Sequence, residues 1–247
     1  MSEARNCKYL SVSAKVAIVA ALEREVWPLV KNWTIRRRKF DGREFKFFEK
    51  DATVLVCAGI GAVAARRAAE AAISLYEPHL LISAGFAGAL DPALPVGHTL
   101  TPRYVIDAHD GSRIESGPGD GVLVSFDEIA DLEQKARLAK AYGAHAVDME
   151  AAAVARSAEA HGVRFMACKA ISDASDACLP PIARFVDGDG RFKAPGFLAY
   201  VIIRPWLWRH VIQLARNSSH AAEKLCAVLT DSDALAIKDS ELRTVAR

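Results

Sequence analysis

The sequence predicts an α/β fold, a three-layer αβα sandwich around a central mixed sheet. Three observations predict it. Apolar runs of strand length, among them 15–21 (KVAIVAA), 53–57 and 164–171, alternate with Ala-rich runs of helical period. Strands that alternate with helices favour a parallel or mixed sheet covered on both faces. The 247 residues show no internal repeat and no linker-like stretch, so a single domain over 1–247 is expected.

Taken in order, 15–21 reads as a buried strand and Glu23 to Glu25 as the acidic start of a helix. Residues 44–49 and 53–57 are two more strands, and Gly59-Ile60-Gly61 opens a long Ala-rich helix to about Tyr76. Residues 79–84 form a strand that ends in the glycine-broken loop Gly85-Phe86-Ala87-Gly88. After strands near 99–106 and 122–125, Ser125 and Glu128 have capping-box spacing for a helix from about Phe126. Residues 144–147 are a short strand, and 149–161 a helix with Ala151, Val154, Ala155 and Ala158 on one face. The last strong strand, 164–171, gives way to an irregular stretch over 172–196.

Composition excludes several classes. Apolar residues make up 51% and the net charge is only +2, so the chain can bury a core and is not disordered. The one basic run, Arg36-Arg37-Arg38-Lys39, is short with acidic neighbours, which argues for a solvated face and against nucleic acid. Five cysteines without a C-x-x-C pair offer neither a disulfide framework nor a zinc site, and imply a reducing, cytoplasmic setting. The N-terminus has no apolar signal core. Residues 197–215 are mostly apolar but broken by Arg204, Pro205, Arg209 and His210, a poor transmembrane span.

In an α/β sheet, ligands bind beyond the carboxyl ends of the strands. Three loops bring carboxylates there: Glu23-Arg24-Glu25, Asp148-Met149-Glu150 and Ser172-Asp173. Any one of them alone reads as a helix N-cap or a first-turn acid. Three on one rim would repel one another unless a site uses them. The string from Gly59 to Ala64 matches G-x-G-x-x-A, a dinucleotide fingerprint, but the next strand runs into Gly85 without the acid that a ribose needs. A nicotinamide-dependent oxidoreductase is therefore a weak alternative, and tight helix–strand packing explains the glycines equally well.

Four stretches, 16–29 (VAIVAALEREVWPL), 58–72 (AGIGAVAARRAAEAA), 78–97 (PHLLISAGFAGALDPALPVG) and 145–176 (HAVDMEAAAVARSAEAHGVRFMACKAISDASD), resemble the nucleoside phosphorylase superfamily in that order. The closer resemblance is to its 5′-methylthioadenosine/S-adenosylhomocysteine nucleosidase branch, with V-D-M-E-A followed by A-I-S-D-A-S-D as the most specific pair of strings. The resemblance implies a nucleoside phosphorylase-like fold and purine, specifically adenine, release from a 5′-substituted adenosine without cofactor or metal. It implies that Glu25 activates the attacking water and that Asp173 is the general acid at purine N7. It further implies that Met149 and Glu150 hold the ribose, with Phe126 stacked on the base and Ser172, Phe86 and Lys169 also among the substrate-binding residues.

The chemistry is coherent on its own terms. Breaking an N-glycosidic bond builds positive charge on the sugar and negative charge on the leaving base. A proton at N7, a base for the water and a third carboxylate near the ribose each lower that barrier. Asp173 must then hold a proton near neutral pH, with Asp176 as a like-charge neighbour.

Two departures from the family bear on the nucleophile. Phe86 stands where the family usually carries Ser, and Lys169 where the nucleosidases commonly carry Arg. A lysine can hold a water or the Glu25 carboxylate but makes no bidentate fork on phosphate. Hydrolysis is favoured, with a phosphate-dependent phosphorylase as the alternative and a catalytically silent nucleoside binder behind both. The extra segment at about 177–220, with Trp206 and Trp208, reads as a buried or dimer-interface helix, or as a lid admitting a lipid-like 5′ group. In that length it looks like the hopanoid-biosynthesis branch acting on adenosylhopane. The resemblance implies a homodimer, and the apolar segment a peripheral contact with the inner membrane face.

Overall fold

The computed structural model describes residues 16–231, apart from Pro180, Asp189 and Arg191, with only the backbone of Ala183. The N-terminal reading and Cys7 lie outside the described residues. In the first half of the chain the strands are β1 (Val16–Ala20), β2 (Thr34–Phe40), β3 (Arg43–Lys50), β4 (Thr53–Cys57) and β5 (Leu80–Ala89), with helices α1 (Glu23–Val30) and α2 (Ala62–Tyr76). Strands β6 (Thr99–Leu100), β7 (Tyr104–Asp107), β8 (Arg113–Glu115) and β9 (Val122–Ser125) follow. Helix α3 (Leu132–Tyr142), β10 (Ala146–Asp148), α4 (Ala151–Ala160) and β11 (Arg164–Asp173) complete the sheet region. A 3₁₀ turn (Ile182–Phe185) leads to α5 (Ala194–Ile202) and α6 (Pro205–Thr230).

Eleven strands form one mixed sheet, in the order β2-β3-β4-β1-β5-β10-β9-β7-β8, with β11 added on β5 and β6 on β11. Alternation along the central strands buries both faces. Ala17 and Val19 of β1 join Val54, Val56 and the Ala-rich face of α2, while Ile18 and Ala20 meet Val26 and Val30 of α1 and Leu225 of α6. That is the αβα sandwich.

Strand β5 organises the rest. It runs parallel to β1 on one side and parallel to β11 on the other, and past the end of β1 it pairs antiparallel with β10. Gly88 thus stands in register with both Val147 and Asp173, so three strand ends converge there. The expected loop at Gly85-Phe86-Ala87-Gly88 is strand instead, because β11 and β10 supply ladder partners beyond Ala84.

Other differences have equally local causes. Strand β2, which sequence reading missed, is a largely exposed edge strand without the usual alternation. Its basic run is ion-paired to β3 through Arg36–Glu49 and Arg37–Glu44. The helix expected from about Phe126 begins at Leu132, because the capping box is formed by Asp131 and Gln134. The Ser125 hydroxyl donates to Asp148 Oδ1 at 2.6 Å instead. Helix α4 likewise starts at Ala151, two residues later than expected. Among the described cysteines Cys168 and Cys226 are buried, Cys57 is half-buried and Cys178 exposed, and none of them is in a disulfide.

Candidate active site

A cavity of about 840 Å³, counted to its open mouth, lies at the carboxyl ends of β1, β5, β10 and β11. Of the residues singled out from sequence, Glu25, Phe86, Met149, Glu150, Ser172 and Asp173 line it. The glycines of β5 make this convergence sterically feasible. A Cβ on Gly85 would lie 2.9 Å from Glu25 Oε2, and one on Gly88 would lie 2.9 Å from Asp173 Oδ2. Both carboxylates are therefore seated against bare backbone.

One end of the cavity is crowded with negative charge. Glu25 is in the first turn of α1, 5% exposed, and its Oε2 is buried with no hydrogen-bond partner among the described residues. Burial first, and the Glu150 charge second, push its carboxyl from the ordinary 4.5 up to about 7. Glu150 is also pushed up to about 7, by burial and then by Asp148, against the opposing pull of Lys169 and of the Gly61 N–H. That N–H donates to Glu150 Oε1 at 2.8 Å. The glycine string thus holds a carboxylate of this chain at the start of α2, which removes the support for a dinucleotide cradle.

Lys169 is buried beside these acids. Its ammonium lies 2.8 Å from Asp148 Oδ2 and donates to Ser83 Oγ at 3.1 Å. Burial alone would strip its proton, but Asp148, Glu150 and Glu25 more than offset this and hold the lysine above its ordinary range. The hydrogen bond expected between Lys169 and the Glu25 carboxylate is absent among the described residues; Asp148 takes that role. Lys169 does not line the cavity either. Asp148 is further tied by Ser125 and by the Ala151 N–H at 2.9 Å, so it is a structural anchor rather than a ligand group.

The other end is built around Asp173. Its Oδ1 accepts from Ser172 Oγ at 2.8 Å, and its Oδ2 is paired with Lys135 Nζ at 2.6 Å. The charged neighbour is a cation, whereas Asp176 is exposed. Phe126 is not in the cavity: it packs against the cluster of Leu90, Ile106 and Val124, and Glu128, Ile129 and Ala130 reach the cavity instead. The loop that turns from β9 toward Asp131 directs Phe126 under the sheet. Lys135 was missed from sequence, although the Asp131-x-x-Gln134 pattern was the signal that places it in the first turn of α3. No group of three or more His, Cys, Asp or Glu side chains among the described residues has the arrangement of a metal site.

Fold and cavity together define the class: a mixed-sheet αβα enzyme with an acidic cavity at the carboxyl ends of its central strands. The family follows from direct comparison. Residues 15–131 and 119–183 match the family described as Phosphorylase superfamily, and the chain belongs to it. A 5′-methylthioadenosine/S-adenosylhomocysteine nucleosidase of Staphylococcus aureus is 28% identical over 197 residues, covering 64% of this chain and 86% of that one. Among solved structures, the same-named nucleosidase of Helicobacter pylori superposes with a TM-score of 0.66 at 18% identity, covering 89% of this chain and 97% of that one. The futalosine hydrolase of that organism gives 0.66 at 18% identity, covering 88% and 96%. The Neisseria meningitidis nucleosidase, in complex with methylthio-immucillin-A, gives 0.65 at 21% identity, covering 87% and 96%.

Proposed function

We propose that this protein is a purine nucleosidase that hydrolyses the N-glycosidic bond of a 5′-substituted adenosine and releases adenine. The observation that carries this reading is Glu25: a buried carboxylate with one oxygen that has no hydrogen-bond partner among the described residues, poised near pH 7 in the cavity. Such a group accepts a proton from water at neutral pH. Glu150, anchored on the Gly61 N–H, faces the same cavity and supplies negative charge for the ribose as it becomes cationic. Asp173 serves the leaving base from the opposite end, and Met149 lines the same cavity.

The charge balance also argues for water over phosphate. Glu25, Asp148 and Glu150 are three acids against two cations, Arg24 and Lys169, and Asp148 already engages the second. A phosphate dianion would enter against this excess, and Phe86 offers it no hydroxyl. The test is product analysis on adenosines with different 5′ groups. Free 5′-substituted ribose in phosphate-free buffer supports hydrolysis, and a strict requirement for phosphate with a ribose-1-phosphate product refutes it.

The 5′ substituent we assign is apolar, with adenosylhopane as the specific candidate. The cavity wall formed by Leu179, Ile182 and Leu214 connects through α6 to an apolar elbow. Leu198, Ile202, Ile203, Trp206 and Trp208 are exposed there, although Trp208 Nε1 donates to Val201 O and Arg204 stacks over Tyr200. Residues 190–222 contain no Asp or Glu, so the elbow is both apolar and cationic, which suits peripheral contact with the inner face of an anionic membrane. No helix among the described residues is long and apolar enough to cross a membrane. Sedimentation with anionic vesicles tests this contact, and molar mass in solution tests the homodimer that the family implies.

A further inference from the structure

Lys135 is a buried cation with an unusual place in the fold. It occupies the first turn of α3, where an ammonium opposes the helix dipole, so helix stability does not account for it. The Asp131–Gln134 capping box, with reciprocal bonds of 2.8 Å, fixes that turn, and the Lys135 N–H donates to Asp131 O at 2.8 Å. The Lys135 side chain is 4% exposed and lines the cavity. It spends one donor on Asp173 Oδ2 and another on Ala174 O at 2.8 Å. The other charged groups that line the cavity with it are Glu128 before α3, Asp148 and Glu150 of the β10 end, and Arg24 and Glu25 of α1.

In this arrangement both Asp173 oxygens accept hydrogen bonds, one from Lys135 and one from Ser172. Of these two donors the ammonium has protons to pass on, whereas the single Ser172 hydroxyl proton is also directed at Ala87 O at 3.4 Å. We propose that Lys135 is the proton source behind Asp173, so that the acid of this site is the pair rather than the aspartic acid alone. The inference rests on the nucleosidase reading above. As the C1′–N9 bond breaks, its electron pair moves onto the purine. N7 takes a proton from Asp173 Oδ2, and Asp173 takes one from Lys135, which is left as a neutral amine. Water adds to C1′ and gives its proton to Glu25, and exchange with solvent returns a proton to Lys135. Between turnovers the ammonium also holds Asp173 at the base edge. Lysine can perform both tasks because a buried ammonium gives up its proton, which a guanidinium does not.

The test uses the full chain and adenine release from 5′-methylthioadenosine, followed as kcat and KM against pH. Lys135→Gln is expected to lower kcat at least 100-fold with KM within threefold. Lys135→Arg, which keeps the charge but not a transferable proton, is expected to recover less than tenfold of that loss. Recovery to within threefold by Lys135→Arg would reduce Lys135 to a fixed counter-ion and overturn the proposal, as would a Lys135→Gln enzyme within threefold of wild type. If melting curves show Lys135→Arg unfolded, a solvent isotope effect decides: a wild-type kcat unchanged in deuterated water overturns the proposal. Wild-type enzyme that releases no adenine from any 5′-substituted adenosine removes the parent reading instead, whatever the Lys135 variants do.

Discussion

At one end of the cavity three carboxylates stand against two cations, Arg24 and Lys169; at the other, one carboxylate has an ammonium to itself. Burial first, and neighbouring carboxylates second, drive Glu25 and Glu150 up to about 7, the first with an oxygen that has no hydrogen-bond partner among the described residues. Asp173 is clamped between Lys135 and Ser172. The same type of side chain is thus fitted for proton uptake from water at one end and for service to a leaving group at the other. Desolvation together with like-charge neighbours makes the difference, as when paired carboxyls in one site are pushed into separate roles by their surroundings.

The largest effect is expected where that contrast is sharpest. Glu25→Gln removes the base and keeps the shape, so kcat falls by about 10²–10⁴-fold. The same change is expected to stabilise the fold at alkaline pH. A carboxyl whose folded pKa is raised contributes stability that is intact below about pH 4.5 and lost as pH rises to about 7. At roughly 1.4 kcal/mol per unit the loss is on the order of 3 kcal/mol, and the Gln variant does not incur it. Melting curves from pH 4 to 8 that stay parallel for the two proteins would break the proposed charge imbalance.

Lys169→Met tests the shared ammonium. With Lys169 and Asp148 side chains 1% and 0% exposed, the change strands a buried charge and is expected to cost about 3–5 kcal/mol. The double variant Lys169→Met/Asp148→Asn should regain more than half of it, as read from denaturant midpoints. Gly88→Ala probes the other end: its Cβ must displace Asp173, and a shift of about 1 Å costs about 10²-fold in kcat. Its loss should be confined to kcat, with the fold retained. A milder effect follows from pH alone. The acid limb of kcat/KM is expected near pH 7, falling about tenfold per unit below it as Glu25 takes up a proton, and it should vanish in Glu25→Gln. A limb at the ordinary carboxylate value would show that Glu25 is not desolvated in solution.

Much of this site was legible in the residues because strand ends are where apolar runs stop. Glu25, Glu150 and Asp173 each follow such a run, and the fold does bring them to one cavity. What could not be read is pairing. Whether Lys169 meets Glu25 or Asp148 depends on strand register, and β10 reaches β5 only because β1 ends at Ala20. The glycines at 85 and 88 look like a loop in sequence, since their function is to admit two distant carboxylates rather than to turn the chain. Phe126 illustrates the reverse error: an aromatic beside a motif was assigned to the ligand, and the core took it. Lys135 was hidden because a polar, lysine-bearing helix reads as a solvated one until its capping box fixes which turn faces inward.

The smallest expected effect separates the cavity from the elbow. None of the buried residues of α6 precedes Ala221, and of its first 16 residues, about 24 Å at 1.5 Å per residue, Leu214 and Ser218 reach the cavity while the tryptophan-bearing start stays exposed. Trp206 is 68% exposed there and has no part in the acid chemistry. Trp206→Ala should leave stability within about 0.5 kcal/mol and leave turnover of 5′-methylthioadenosine unchanged. Against an adenosine with a long apolar 5′ chain, presented in anionic vesicles, the same variant should lose turnover through KM rather than kcat. An equal loss on both substrates would mean that α6 shapes the reacting end itself. Loss on neither would leave the apolar wall of Leu179, Ile182 and Leu214 as the whole of the 5′ selectivity, because those side chains remain in the cavity when the tryptophan is gone.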